Sequence, residues 1–423
     1  MKKEGKPALT PKLRFPEFRE APAWTIEPLR ESATVITEKA GERKCVYLSI
    51  TSGVGLISQV EKFGRTIAGE SYKNYFLIQR NDFAYNKSAT KEFPQGFIAM
   101  YSGDEPGSVP NSIFTCFRVQ EDRLNVYYLN YLFFSNLHGR WLTKYITVGG
   151  RAHGSLSIND EDLFSLPIPR PSGESSLVEQ QKIADCLISL DDLIAAHIRK
   201  LEALKAHKKG LMQQMFPREG EIIPRLRFPE FQDAPEWEVK PLEQVATYEN
   251  GKAHENNVSE NGQYIIVNSK FISTDGKVRK YSNEAFCLAD SGDILMVLSD
   301  VPNGKAIAKC FFVEADDVYA VNQRICKIRP VGIDGKLLFK ILDRNPFFLA
   351  FDDGVKQTNL RKEDVLNCPI FFPHVPEEQK KVGDSLSSLD DLITAQSLKL
   401  DTLKTHKKGL IQQLFPLLDE VDA

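Results

Sequence analysis

Two stretches of this chain repeat each other, and that repetition limits the possible folds more than any other feature. Residues 179–217 and 378–416 are identical at about 25 of 39 positions, and both end in HKKGL followed by QQ, an apolar residue and Phe-Pro. A shorter echo pairs residues 11–29 with 224–242, both containing LRFPEF, a tryptophan and a closing Pro-Leu. Between the echoes, residues 30–177 and 243–377 have almost no sequence in common. A chain that keeps its frame while its inserts diverge reads as one scaffold holding two differently tuned surfaces.

The longer repeat predicts a helix with a heptad seam. In the first copy Ile183, Leu187, Leu190, Ile194, Leu201, Leu204, Leu211 and Met215 alternate at spacings of four and three once His197 and Lys208 fill the gaps. The second copy has Val382, Leu386, Leu389, Ile393, Leu400, Leu403, Leu410 and Leu414, with Gln396 and Lys407 in the gaps. Ser176 and Glu179 have capping-box spacing, Pro376 suits a first helical turn, and Phe216-Pro217 and Phe415-Pro416 end the runs. Two amphipathic helices on separate cores would show shorter stripes. A seam of about five heptads on a helix of about 55 Å suggests that the copies pair as a strut.

One repeated frame is placed symmetrically if the two helices run antiparallel. The seam is then centred near Arg199 and Leu398, which brings His197 and Gln396 to the axis as a polar layer. Lys208 points toward Asp390 and Asp391, and Lys407 toward Asp191 and Asp192, so each seam lysine meets a carboxylate. Gly210 and Gly409, each costing about 1 kcal/mol within a helix, mark where the strut meets the LRFPEF segments or a partner.

The inserts read as mixed α and β. Strand-like runs fall at 44–50, 75–79, 97–101 and 113–119, and again at 264–267, 294–298, 306–313 and 324–328. Helical stretches follow at 126–144 and 336–351. The expected architecture is therefore α/β of the mixed α+β kind. Two globular domains are separated by two long helices in an antiparallel coiled coil with pseudo-two-fold symmetry. The boundaries are 1–29 (first frame segment), 30–176 (first domain), 177–242 (central frame), 243–376 (second domain) and 377–423 (last helix).

Loops in matching places of the two inserts carry the side chains that read nucleic acid. Asn86, Lys87, Ser88, Thr90 and Lys91 follow a turn expected at 82–85, and Arg151, His153 and Ser155 lie in a Gly-flanked loop. The second insert offers Asn268, Lys270, Asn303, Lys305, Lys356, Gln357, Thr358 and Asn359. Arg, Lys, Asn, Gln, Ser and Thr read base edges in the major groove, and the cations also neutralise phosphates. Polar loops on any water-facing domain contain the same residues, so composition alone leaves both readings open.

Chemistry by the chain itself is poorly supported. Ser52-Gly53-Val54-Gly55 is a lone GxG without a following helix, and Gly304-Lys305 lacks the rest of a phosphate-binding loop. Asn345-Pro346-Phe347-Phe348 lies within a helical pattern and reads as a kink or helix end. The seven histidines show no metal-ligand spacing, and His207 and His406 sit on a basic helix face. No catalytic or metal site is expected. The seven scattered cysteines, with no CxxC, suit a reducing cytoplasm, and no apolar run is long enough for a membrane span. The balance of 54 basic and 57 acidic residues argues against a purely electrostatic DNA binder but does not exclude nucleic acid, because local patches matter more than the sum.

The LRFPEF–Trp–Pro-Leu segments, the Pro-rich strand leading into EQxK, and the heptads ending in HKKGLxQQxFP resemble the specificity subunit of type I restriction–modification systems. The resemblance covers nearly the whole chain in the order frame, insert, frame, insert, frame. It implies two target recognition domains and a helical spacer, with no catalysis by this subunit. It further implies double-stranded DNA, two modification (methyltransferase) subunits and restriction (translocase and endonuclease) subunits as partners. S-adenosylmethionine, ATP and Mg would be bound by those partner chains, and this chain would bind no cofactor. Frames that match around inserts that differ imply a split, non-palindromic DNA target, with half-site centres about 34 Å apart. Two alternatives stay open: a related system whose methyltransferase and nuclease share one partner chain, and a coiled-coil scaffold that reads no DNA.

Overall fold

The computed structural model describes residues 9–416 except 52, 147–155, 219, 302 and 303. The chain divides into two compact units, residues 1–197 with 400–423, and residues 198–399. Each unit therefore holds one insert, half of one long helix and half of the other.

Both units are built on one topology. Among the described residues of the first, one sheet has the order Ala33–Ile36, Phe114–Val119, Phe83–Asn86, Phe97–Met100, all antiparallel. The second unit repeats it as Ala246–Asn250, Ile325–Pro330, Ile294–Val297, Cys310–Phe312. The other four-stranded sheet of the first unit runs Gly55–Ser58, Val46–Thr51, Gly107–Val109, Phe76–Ile78, with one parallel pair, Val46–Thr51 with Gly107–Val109. Its counterpart runs Tyr281–Ser282, Tyr264–Val267, Tyr319–Val321, Leu288–Ala289, again with its one parallel pair in the middle.

The strand Phe83–Asn86 of the first unit and Ile294–Val297 of the second are buried on both faces, which explains why their sequences do not alternate. Phe83 and Tyr85 enter one core cluster and Ala84 the other. In the second unit Ile294 and Met296 face one cluster, and Leu295 and Val297 the other. Successive side chains of a strand point to opposite faces, so one short strand ties both cores of its unit together. The turn expected at 82–85 is in fact the start of this strand, Phe83–Asn86. Its polar neighbours Asp82 and Asn86 made it read as a loop.

The helical stretches in the inserts are broken. Val126–Phe134 stops before Asn136, which adopts φ 61°, and Leu137–Leu142 follows. Gly335–Leu342 stops before Arg344 at φ 55°, and Asn345 then caps Pro346–Leu349 by accepting from the Phe347 amide. Proline at the first helical position favours such a restart.

The repeated frame closes each unit. Thr25–Pro28 pairs with Pro167–Arg170, and Glu238–Pro241 with Pro369–Phe372. Arg14 binds Glu179 through two parallel bonds of 2.8 and 2.7 Å and also donates to the carbonyls of Ala21 and Pro22. Arg227 does the same with Glu378, Ala234 and Pro235. Trp24 and Trp237 donate to the same two carboxylates. Glu179 therefore ties the LRFPEF segment down and does not complete the expected capping box, while the Ser176 hydroxyl donates to the Pro171 carbonyl. The next residue of each copy, Gln180 or Gln379, accepts from the amide of Asn125 or Asp334, the N-cap of the insert's helix. A bidentate Arg–carboxylate pair with buried partners fixes geometry as well as energy.

Candidate nucleic-acid interface and the paired long helices

The long helices span Ser176–Met215 and Pro376–Leu414. In the first unit Ile183, Ala184 and Leu187 share a core cluster with Ile411, Leu414 and Phe415 from the end of the other helix. Further along, Lys407 Nζ meets Asp191 Oδ1 at 2.5 Å. In the second unit Val382 and Leu386 share a cluster with Met215, and Lys208 Nζ meets Asp390 Oδ1 at 2.5 Å. In each unit, then, the two half-helices run antiparallel. The ion pairs use the first carboxylate of each doublet, while Asp192 and Asp391 are exposed.

The seam residues sort by burial. Leu187, Ile194 and Leu201 are buried, as are Leu386 and Leu400, and Leu190, Leu204, Leu389, Ile393 and Leu403 are half-buried. Gln396 is buried and His197 half-buried; they fall in different units, next to the division between them. Each ion pair has a third member from its own insert. Tyr131 donates to Asp191 Oδ2 at 2.6 Å, and Lys340 donates to Asp390 Oδ2 at the same distance. Burial works to raise the pKa of Asp390, but its bonds to Lys208 and Lys340 outweigh this and hold the carboxyl below its ordinary value.

The loops chosen from composition gather at the end of the doubly buried strand. In the first unit the Lys87 amide donates to the Ile113 carbonyl at 2.8 Å, and its own carbonyl accepts from the Leu156 amide at 2.7 Å. In the second, Leu298 donates to Arg324 and accepts from Leu360, and Ser299 pairs with Asn359 in a short two-stranded ladder. Among the described residues, the end of the strand, Leu156 or Leu360 ahead of the last small helix, and the 110–113 or 322–324 turn therefore sit side by side. This turn went unnoticed in the sequence. Its residues Ile113 and Arg324 read as the first residues of the runs at 113–119 and 324–328, and only pairing places the turn next to the others.

Individual side chains divide into exposed and committed groups. Thr90, Lys91, Lys270, Lys305, Lys356, Gln357 and Asn359 are exposed. Asp300 shapes the Lys305 loop by accepting from the amides of Ala306 and Ile307, and a methyl at Gly304 would lie 2.0 Å from that carboxylate and force it to shift. Gln357 donates to the Ser299 hydroxyl at 2.7 Å. Lys87 is half-buried with its ammonium 3.7 Å from Asp160, and Ser88 is half-buried. Asn268 caps the helix Ser269–Ser273 by accepting from the Phe271 amide. Two expectations need correction. Asn86 and Thr358 are buried; the first accepts from the Ser88 amide and the second donates to Asp352, so neither side chain is offered to a groove. Arg151, His153, Ser155 and Asn303 lie outside the described residues.

Among the described residues no cluster of three or more His, Cys, Asp or Glu could hold a metal ion, and no helix is long and apolar enough to cross a membrane.

A family model described as the type I restriction modification DNA specificity domain matches residues 42–206 and 235–405. The type I restriction enzyme MjaVIII specificity subunit of Methanocaldococcus jannaschii is 27% identical over 271 residues, 60% of this chain and 63% of that protein. The putative type I restriction enzyme MjaX specificity subunit of the same organism is 24% identical over 335 residues, 75% of this chain and 74% of that protein. The chain thus spans just under two thirds of the first relative's length. Among solved structures, the S subunit of a type I restriction–modification system from M. genitalium aligns with a TM-score of 0.60 at 14% identity, covering 97% of this chain and 100% of that one. A chain from a study of complex assembly and conformational transition of the type I R-M system aligns at 0.54 and 16% identity, covering 93% and 97%. At such identities the likeness is one of fold.

Proposed function

The chain belongs to the family of type I restriction–modification DNA specificity subunits, and from that premise we propose that it is the sequence-reading subunit of such an enzyme. Each unit reads one half of a bipartite, non-palindromic DNA site, and the long helices set the gap. The observation that carries this reading is one topology used twice with different side chains at the same strand end. The Lys87 loop faces the 110–113 turn in one unit, and the Ser299 loop faces the 322–324 turn in the other.

The chain acts without catalysis or a cofactor of its own in this proposal. Two methyltransferase subunits supply S-adenosylmethionine chemistry, and restriction subunits supply ATP- and Mg-dependent cleavage, in the cytoplasm. Docking of the methyltransferases on the helices is supported by Leu193 and Leu392. These occupy the same position of the repeat, lie off the seam and are 43% and 55% exposed. Apolar side chains in matching places outside a core suit a partner's surface.

Co-expression of the full chain with the neighbouring methyltransferase gene, followed by sequencing of methylated bases, tests the proposal. The expected result is one split, asymmetric motif with a methylated adenine in each half. A palindromic or continuous motif would overturn the two-reader scheme, and methylation without any sequence preference would leave a scaffold.

A further inference from the structure

We propose that a polar cleft in the second unit is its base-reading pocket, in which Gln323 and Arg324 meet base edges in the major groove of duplex DNA and Lys270 and Lys280 hold the flanking phosphates. The inference rests on the DNA-reading function proposed above and names where one half-site is read.

The cleft encloses about 330 Å³. Three cations, Lys270, Lys280 and Arg324, and three amides, Asn268, Asn322 and Gln323, line it, with no carboxylate among the described lining residues. In a chain whose basic and acidic residues nearly balance, 54 against 57, such a wall is a local departure. Its chemistry is that of duplex DNA. Arg pairs with the O6 and N7 of guanine, Gln or Asn with the N6 and N7 of adenine, and Lys neutralises phosphate as a point charge.

Backbone hydrogen bonds fix the turn that would read the bases. The Asn322 amide donates to Val267, and its carbonyl accepts from Ile325 at 3.0 Å. The Arg324 carbonyl accepts from Leu298 at 3.0 Å. A methyl at Gly251 would lie 2.1 Å from the Asn322 carbonyl oxygen, so only glycine lets the neighbouring strand approach this turn. Gln323 and Arg324 themselves are exposed. A fixed backbone lowers the entropy lost on binding.

The rest of the cleft is equally ordered. The Ile266 amide donates to the Lys280 carbonyl at 2.8 Å. Buried His254 accepts from the Phe286 amide at Nε2, which leaves the proton on Nδ1, 2.7 Å from the Lys252 carbonyl. With both nitrogens engaged and its ring stacked on Phe286, His254 serves as the floor. The first unit has Pro110, Asn111, Ser112 and Ile113 at the matching turn, with no cation. One place in a shared frame thus carries different reading chemistry in the two units, as two unlike half-sites require.

The test uses the full chain co-expressed with its methyltransferase, with methylated motifs sequenced and binding to random-sequence duplex measured across salt. Q323A/R324A should turn one or two bases of a single half-site degenerate and leave the other half unchanged. R324K, which keeps the charge but loses the two-pronged pairing, should degrade the same position. K270A/K280A should keep the motif, weaken binding about tenfold or more, and reduce the slope of log K against log salt by about 1.8. A wild-type motif in both Gln323/Arg324 variants, with unchanged thermal midpoints, would overturn the pocket while leaving the DNA-reading function intact. Degeneracy in the other half-site would overturn it too. A wild-type chain that selects no motif would overturn the function itself.

Discussion

Asp390 shows how a single carboxylate can hold two elements together. It binds Lys208 from one long helix and Lys340 from the insert, whose side chain is only 5% exposed. Asp391→Asn, on the exposed neighbour, should be close to neutral, whereas Asp390→Asn would leave two ammonium groups facing a neutral amide. We expect the latter to cost about 1–3 kcal/mol in urea titrations. Asp191→Asn should cost less, about 1 kcal/mol, because its partners are one lysine and a tyrosine hydroxyl. Equal losses at the two sites would refute this ranking. His138 makes a second residue-scale prediction. It is fully buried, its Nδ1 has no hydrogen-bond partner among the described residues, and burial pushes its pKa down to about 4. The unfolded chain, with a value of about 6.5, takes up the proton first, so this contribution is intact above pH 6.5 and is lost as pH falls toward 4. The loss approaches about 1.4 kcal/mol per pH unit within that window. Between pH 6.5 and 5, before most carboxylates titrate, His138→Gln should flatten the dependence of the unfolding midpoint on pH; an unchanged slope would exclude His138 as its source.

At the scale of elements, the long helices combine strong pairing signals with two weak points. Gly210 and Gly409 lie inside them, and a methyl at either would meet open space. Alanine there should stabilise the isolated chain by up to about 1 kcal/mol each. If a methyltransferase helix packs closely against these glycines, the same variants should bind that subunit more weakly while melting higher. Higher melting with unchanged binding would mean that no partner packs closely against these glycines. The inserts also share a device that their sequences hide. Asp82 accepts two bonds from Arg118, and Asp293 two from Arg329, in each case joining the doubly buried strand to its neighbour. A pair separated by 36 residues in both inserts escapes a comparison that looks for contiguous identity.

At the scale of the whole molecule, the first unit depends on the far end of the chain. Ile411, Leu414 and Phe415 belong to its core, and the Leu13 amide donates to the Gln413 carbonyl. The second unit closes in the same way, with Met215 in its core and a bond from Leu226 to Gln214. Truncation after Lys399 should therefore unfold the first unit, which loses the buried apolar side chains of Leu400, Ile411, Leu414 and Phe415, worth about 1.5–3 kcal/mol each against a total stability of about 5–15 kcal/mol. Hydrogen exchange should show protection lost within residues 1–197 and kept within 198–399. Loss in the second unit instead, or in neither, would contradict this dependence.

The sequence by itself determined the repeated frame, the heptad seam and the antiparallel match of lysine to aspartate, because these are periodic and local, and a repeat displays them twice. It also located those strands whose apolar runs are bounded by turn residues, and missed the shorter or more polar ones. Only the tertiary structure decided that Asn86 and Thr358 are spent on internal hydrogen bonds, that residues 82–85 open a central strand, and that Glu179 and Glu378 clamp arginines. It also brought the 322–324 turn beside the loops chosen from composition. Burial and hydrogen-bond partners depend on contacts made across the fold, and a polar residue looks the same in the sequence whether it faces water or another amide.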